Sequence, residues 1–256
     1  MAAISQYAVM LKDSGSPNAE AVRRAFRTFN HLTDADAIRL AANAQGILQR
    51  HLGVDEAKAL QRALLAEGVN AALVKDADLR FLPASQMLHR VELTHDTLVI
   101  YDLHGRTAAV AWGEIALVAA GAVPHVEVSA SQTSRTGLRF HPVFGLWPQK
   151  TTEARHHLET DRHFILELIA GGARYEIQAH QFPFNYVLDL PKATTLEKFV
   201  WLVRELTRRV PQALLNRGAQ DVRDGVQLVR GYPSRQLLLD EMVWLLWNRA
   251  QSRGAV

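Results

Sequence analysis

The chain contains no cysteine among its 256 residues. That removes disulfides, thiol nucleophiles and cysteine-ligated zinc, and it suits a reducing compartment such as the cytoplasm. Long apolar runs are also missing. No stretch reaches the roughly 18 residues that a bilayer-spanning helix requires, so a membrane is not an expected partner. The opening MAAISQYAVML lacks a basic leader and an extended apolar core, so no secretory signal is expected. Charge of one sign is scarce too. Lys and Arg exceed Asp and Glu only by 29 to 26, and the surplus sits in residues 196–256, which carry 10 basic and 6 acidic side chains. Phosphate backbones normally attract denser patches, so nucleic acid is not an expected partner either.

What is present is ordinary for a globular protein: 48% hydrophobic and 21% charged residues. YAVMLKD (7–13) alternates like a strand. Ser16 and Pro17 then predict a helix start, with Val22, Ala25, Phe26 and Phe29 on one face. Thr33 and Asp36 have capping-box spacing ahead of Ala37, Leu40 and Ala41. GILQRHL predicts a short strand. LGVDEAKALQRALLAEGVNAALVKD follows, with acidic residues at a helix N-terminus, a Leu60/Leu64 stripe, a terminating Gly68 and a closing strand. The predicted order is β-α-α-β-α-β.

That order, with the phrase "L..DEA..L...L...GV.A.LV", resembles the C-terminal domain of ribosomal protein L7/L12 over about Tyr7–Val74. In that family basic residues on the first two helices recruit translation factors. The resemblance places Arg23, Arg24 and Arg27 on the matching first helix. The second helix departs from the pattern. HLTDADAIRLAA is longer, and Ile38 stands at the matching basic position, so the factor-binding surface does not carry over. A solvated helix face and a contact for an acidic partner both remain open for these arginines. The whole chain resembles bacterial proteins of no assigned activity.

FLPASQ (81–86) reads as a linker between residues 1–80 and a second domain, 87–256. Alternating segments then predict an antiparallel meander, with turns at Thr94–Thr97 and around Gly105. HDTLVIYDLHGRTAAVAWGEI is similar to the opening meander of bacterial pleckstrin-homology-like domains. From Pro124 to Arg162 the pattern dissolves, and SASQTSRTG predicts a mobile loop. Phe144 and Trp147, between two prolines, are candidates for a partner anchor or for pinning that loop. HFILELIAGGARYEIQ predicts a hairpin. Thr194 and Glu197 then cap an amphipathic helix of the kind that closes a pleckstrin-like barrel. Leu237–Trp247 has nine apolar residues of eleven, on nearly all faces. Such a helix is buried in its own protein, pairs with a second copy, or lies on a membrane surface.

No G-x-S-x-G, P-loop, G-x-G-x-x-G or H-E-x-x-H motif occurs. The densest candidate for chemistry is RHHLETDRH. His157, Asp161 and His163, with His180 across the predicted hairpin, form a candidate metal set. His156 and His157 point oppositely in a strand and would not share an ion. The expectation is therefore an α+β protein: a small β-α-α-β-α-β unit, then an antiparallel pleckstrin-like sheet or barrel with C-terminal helices. The expected function is non-catalytic cytoplasmic binding, as an adaptor for a protein or peptide, with no cofactor. The alternatives are a metal-dependent hydrolase, a peripheral membrane protein, and an RNA-binding protein.

Overall fold

In a computed structural model the chain is described from residue 6 to 254, except 14, 16, 29–32, 80, 142–144 and 187–191. For 125–141, 145–161, 253 and 254 only the course of the backbone is described. Among the described residues there are six α-helices and two sheets, a mixed α+β architecture.

The first 80 residues follow the periodicities of their sequence. The strands β1 (Tyr7–Leu11), β2 (Ile47–Leu52) and β3 (Ala71–Lys75) form an antiparallel sheet in the order β2-β1-β3. The helices α1 (Ala19–Arg27), α2 (Asp34–Ala42) and α3 (Val54–Ala66) contribute Val22, Phe26, Ala37, Leu60 and Leu64 to a core with Val9 and Leu11. Helix α1 starts later than Ser16 and Pro17 predict. Asn18 is its cap, and Oδ1 accepts from the N–H groups of Glu20 and Ala21 at 3.0 and 3.4 Å. An asparagine caps as well as a serine, so the signal lay two residues along. At α3, the Glu56 carboxylate accepts from the N–H of Gly53 at 3.0 Å.

The second sheet has seven strands in the order β10-β7-β8-β9-β4-β5-β6. It is built from β4 (Ser85–Leu93), β5 (Thr97–Asp102), β6 (Thr107–Ala111), β7 (Ile115–His141), β8 (Gly145–Ala170), β9 (Ala173–Gln178) and β10 (Leu214–Leu215). Ser85 and Gln86, predicted as linker, already belong to β4, because they pair in parallel with Arg174 and Tyr175 of β9. Residues 125–141 and 145–161 differ more from expectation. The predicted loop is instead an antiparallel ribbon, with partners such as Gln132 and Ala154 in unbroken register. Alternation of apolar and polar residues marks strands that bury one face; a two-stranded ribbon can be held by its backbone hydrogen bonds without it.

Near the sheet's centre both faces are covered. Leu166 and Leu168 of β8 and Val118 and Ala120 of β7 face α4 (Thr195–Arg209), whose Phe199, Val203 and Leu206 fill the same core. Leu117, Ile165 and Ile169 face the other way, against Leu238 and Met242 of α6 (Arg235–Gly254). The same helix turns Val243 and Trp244 onto Ala8, Met10, Ile47 and Ala72, the outer face of the three-stranded sheet. Helix α6 is therefore apolar all round because two sheets use it. Gly46 makes the second contact possible: its φ is +57°, and a Cβ there would sit 2.8 Å from the Trp244 ring. Helix α5 (Arg217–Arg223) lies so close to β7 that a Cβ on Gly218 would meet the Ala120 carbonyl oxygen at 2.0 Å.

Candidate functional site

Of the arginines of α1, Arg24 and Arg27 are exposed and Arg23 is half-buried, and all three are engaged. Arg23 pairs with Glu20 at 2.8 Å, Arg24 with Glu67 at 2.8 Å and Arg27 with Asp34 at 2.9 Å. They make a self-neutralised face. Phe144 lies outside the described residues. Trp147, His157 and Asp161 are placed by backbone register only, opposite Arg139, Ser129 and His125. The structure does bring His163 and His180 together, with ring centroids 3.9 Å apart. His157 stands six positions from His163 on one strand, which is roughly 20 Å at ~3.3 Å per residue. It cannot share an ion with that pair. Among the described residues no three histidine, aspartate or glutamate side chains converge as metal ligands.

Two polar networks hold α6, and the sequence reading passed over both. Glu167 and Glu176 face each other across β8 and β9 and are almost fully buried. Arg174 Nε donates to Glu167 at 2.9 Å, and Arg235, from the first turn of α6, reaches both carboxylates. Burial and the charge of Glu176 push the Glu167 carboxyl up to about 7. Burial also opposes ionisation of Glu176, but hydrogen bonds from Gln178 and Ser85 and the charge of Arg235 hold it below the usual range. Through Arg235 the cluster ties the first turn of α6 to β8 and β9.

The second network centres on buried Asn216. Its Oδ1 accepts from the N–H groups of Ala120 and Ala219, both at 2.9 Å. Its Nδ2 donates to the Ala120 carbonyl at 3.0 Å and the Tyr232 hydroxyl at 2.8 Å. Tyr232 in turn donates to Glu241 at 2.5 Å, and burial beside that carboxylate raises the phenol far above its ordinary value. Asp240 meets Arg50 of β2 at 2.8 Å. Asp240 and Glu241, which look like interruptions in an apolar helix, are thus its points of attachment.

The open concavity lies elsewhere, at one end of the β4–β5–β6 meander. It has a volume of about 450 Å³, with buried Leu88 and Ile100 at its base and Ala108 beside them. Asp102, His104 and Arg106 form its rim and Tyr175 flanks it. Arg106 Nε donates to Asp102 at 2.6 Å, and the backbone N–H groups of His104 and Arg106 donate to the same carboxylate. Burial raises the Asp102 pKa, but these donors outweigh it and hold the carboxyl below its ordinary value. Leu103, in the turn, is 65% exposed. A second hollow of about 490 Å³ lies where α6 leaves β3, between Trp247 and Lys75. It also has apolar walls, Leu73, Val74 and Trp247, with Lys75 and Asp78 beside them and the edge strand β3 along it. The first hollow differs in having buried residues, Leu88 and Ile100, at its base. In the sequence Leu103 reads as an apolar strand position after Leu98 and Ile100, ahead of a turn at His104–Arg106, but β5 ends at Asp102 and Leu103 lies in the turn. Nothing in the sequence marked this cleft, because the exposure of Leu103 follows only from where β5 ends. No family model, curated protein or solved structure matches the chain.

Proposed function

We propose that this is a non-catalytic binding protein that receives a protein or peptide segment at the β4–β6 end of its large sheet. The observation that carries the reading is the cleft of about 450 Å³, whose apolar base and charged rim suit one or two side chains of a partner. The buried carboxylates, which a hydrolase would need in a cavity, are spent on bracing α6. A cytoplasmic address and an adaptor role fit this reading. No described helix is long and apolar enough to cross a membrane. The last helix, a candidate for dimerisation or membrane attachment from its sequence, has Leu238, Met242, Val243 and Trp244 occupied by the chain's own sheets.

We carry the two family resemblances as part of the same proposal. The order β1-α1-α2-β2-α3-β3 supports an L7/L12-like unit over residues 1–80, and the two successive meanders with α4 across them support a pleckstrin-like unit over 87–256. Each has a core of its own on the side away from α6.

Panning a random peptide library against the full chain tests the binding site. Enriched peptides should lose affinity about tenfold, or ~1.4 kcal/mol, on Ala108→Arg, which fills the cleft. They should keep it on Lys58→Ala, on the far helix α3. Peptides that ignore Ala108→Arg, or no enrichment at all, would refute the reading.

A further inference from the structure

We propose that His125, Asp161, His163 and His180 form a site for one divalent cation of the zinc type, at the root of the β7–β8 ribbon. Half of the site is a pair of imidazoles. His163 of β8 and His180, in the turn after β9, stack with ring centroids 3.9 Å apart. The ladder supplies the other half. From Leu117 onward β7 and β8 pair without a register shift, with Val123 opposite His163 and His125 opposite Asp161. Successive residues of a strand alternate between the two faces of a sheet, so positions 125, 161 and 163 share the face of Val123 and Ile165, on which α6 packs. Opposite residues in such a ladder have Cβ atoms about 4.5–5.5 Å apart, and the next position on the same face is roughly 7 Å along the strand. Imidazole and carboxylate groups from positions so spaced can meet at one ion through bonds of about 2.0–2.2 Å. Arg162, between the two β8 ligands, falls on the opposite face by the same alternation, and its guanidinium fills the space that a Cβ on Gly231 would need.

The ligand chemistry selects the ion. Three imidazoles and one carboxylate suit zinc, whereas calcium and magnesium take oxygen ligands. Four protein ligands complete a tetrahedron and leave no position open for a substrate, so the ion's task is structural. Two imidazoles on a tetrahedral zinc stand roughly 5 Å apart by their ring centres, for Zn–N bonds of about 2.0–2.1 Å, so the stacked pair opens by roughly 1 Å on binding. His180 is the exposed member of the pair and can swing by that much. The place of the site in the fold gives the ion its work. Strand β9 ends at Gln178, which pairs with Ile165. Beyond that point β8 has only β7 beside it among the described residues, and the ribbon leaves the sheet. A ligand set drawn from β7, β8 and the turn after β9 clamps both strands of the ribbon where they leave. Spacing in the sequence selected His157 for this set; strand pairing replaces it with His125, a residue distant in the chain.

Calorimetric titration of zinc chloride into the chelator-treated full chain tests the site. The wild type should bind one equivalent, with a dissociation constant in the micromolar range or tighter. His125→Ala and His180→Ala should each weaken binding at least about tenfold, because each removes a ligand. His157→Ala should leave the affinity unchanged. His180 is exposed, so its variant should keep the circular dichroism spectrum of the wild type and report on the metal alone. Cobalt(II) in place of zinc should give the visible absorption of a tetrahedral site in the wild type and lose it in His125→Ala. A wild type that binds no zinc would overturn the proposal. So would binding that survives His125→Ala or His180→Ala, or that falls equally with His157→Ala, the mark of adventitious capture by surface histidines.

Discussion

At the scale of single residues, the polar groups in the interior carry the most information about how the molecule is held. Glu167 has no solvent access and shares its surroundings with a second carboxylate, yet two arginines reach it. Its carboxyl titrates at about 7 in the folded chain, above its ordinary value of 4.5. Between those values the folded state holds a proton that the unfolded chain has released. This group therefore costs stability as pH rises through that window, by roughly 3 kcal/mol at most. Glu167→Gln cannot titrate. The difference between wild type and variant urea midpoints should change from pH 5 to 7 and level off above that. Parallel midpoint curves would show that Glu167 carries an ordinary carboxyl. Glu176 acts with the opposite sign: its lowered pKa contributes stability above the ordinary glutamate range, which is lost as pH falls through its folded value.

At the scale of elements, α6 is the least ordinary part of the chain. An amphipathic helix faces one core; this one faces two, and its acidic residues reach Arg50 on one side and Arg217 on the other. Trp244 shows how the contact is made. Its ring lies over Gly46, and its indole N–H donates to the Leu11 carbonyl at 2.7 Å. Trp244→Ala should therefore cost about 3–5 kcal/mol, from a lost aromatic in a close-packed seam and a backbone acceptor left without its donor. Denaturant unfolding measures that loss. A cost under about 1 kcal/mol would mean that the seam repacks around the gap.

At the scale of the whole molecule, the expected boundary at residues 81–86 meets a helix that lies 150 residues further on and packs against both sides of it. Ending the chain at Ser234 would expose Ala8, Met10 and Ile47 on one sheet and Leu117, Ile165 and Ile169 on the other. The shortened chain should bind a hydrophobic dye and aggregate where the full chain remains dispersed. A soluble product that unfolds cooperatively would show that α6 is dispensable. The sequence by itself determined the elements whose signals are local. The caps at Thr33 and Thr194, the stripe of α3 and the Gly171–Gly172 hairpin need only neighbours a few residues away. It could not determine which face of a strand is covered twice, where Asp240 and Glu241 find their arginines, or which strand is left at an edge. Those depend on partners distant in the chain, and only the tertiary structure brings such residues within hydrogen-bonding and packing range.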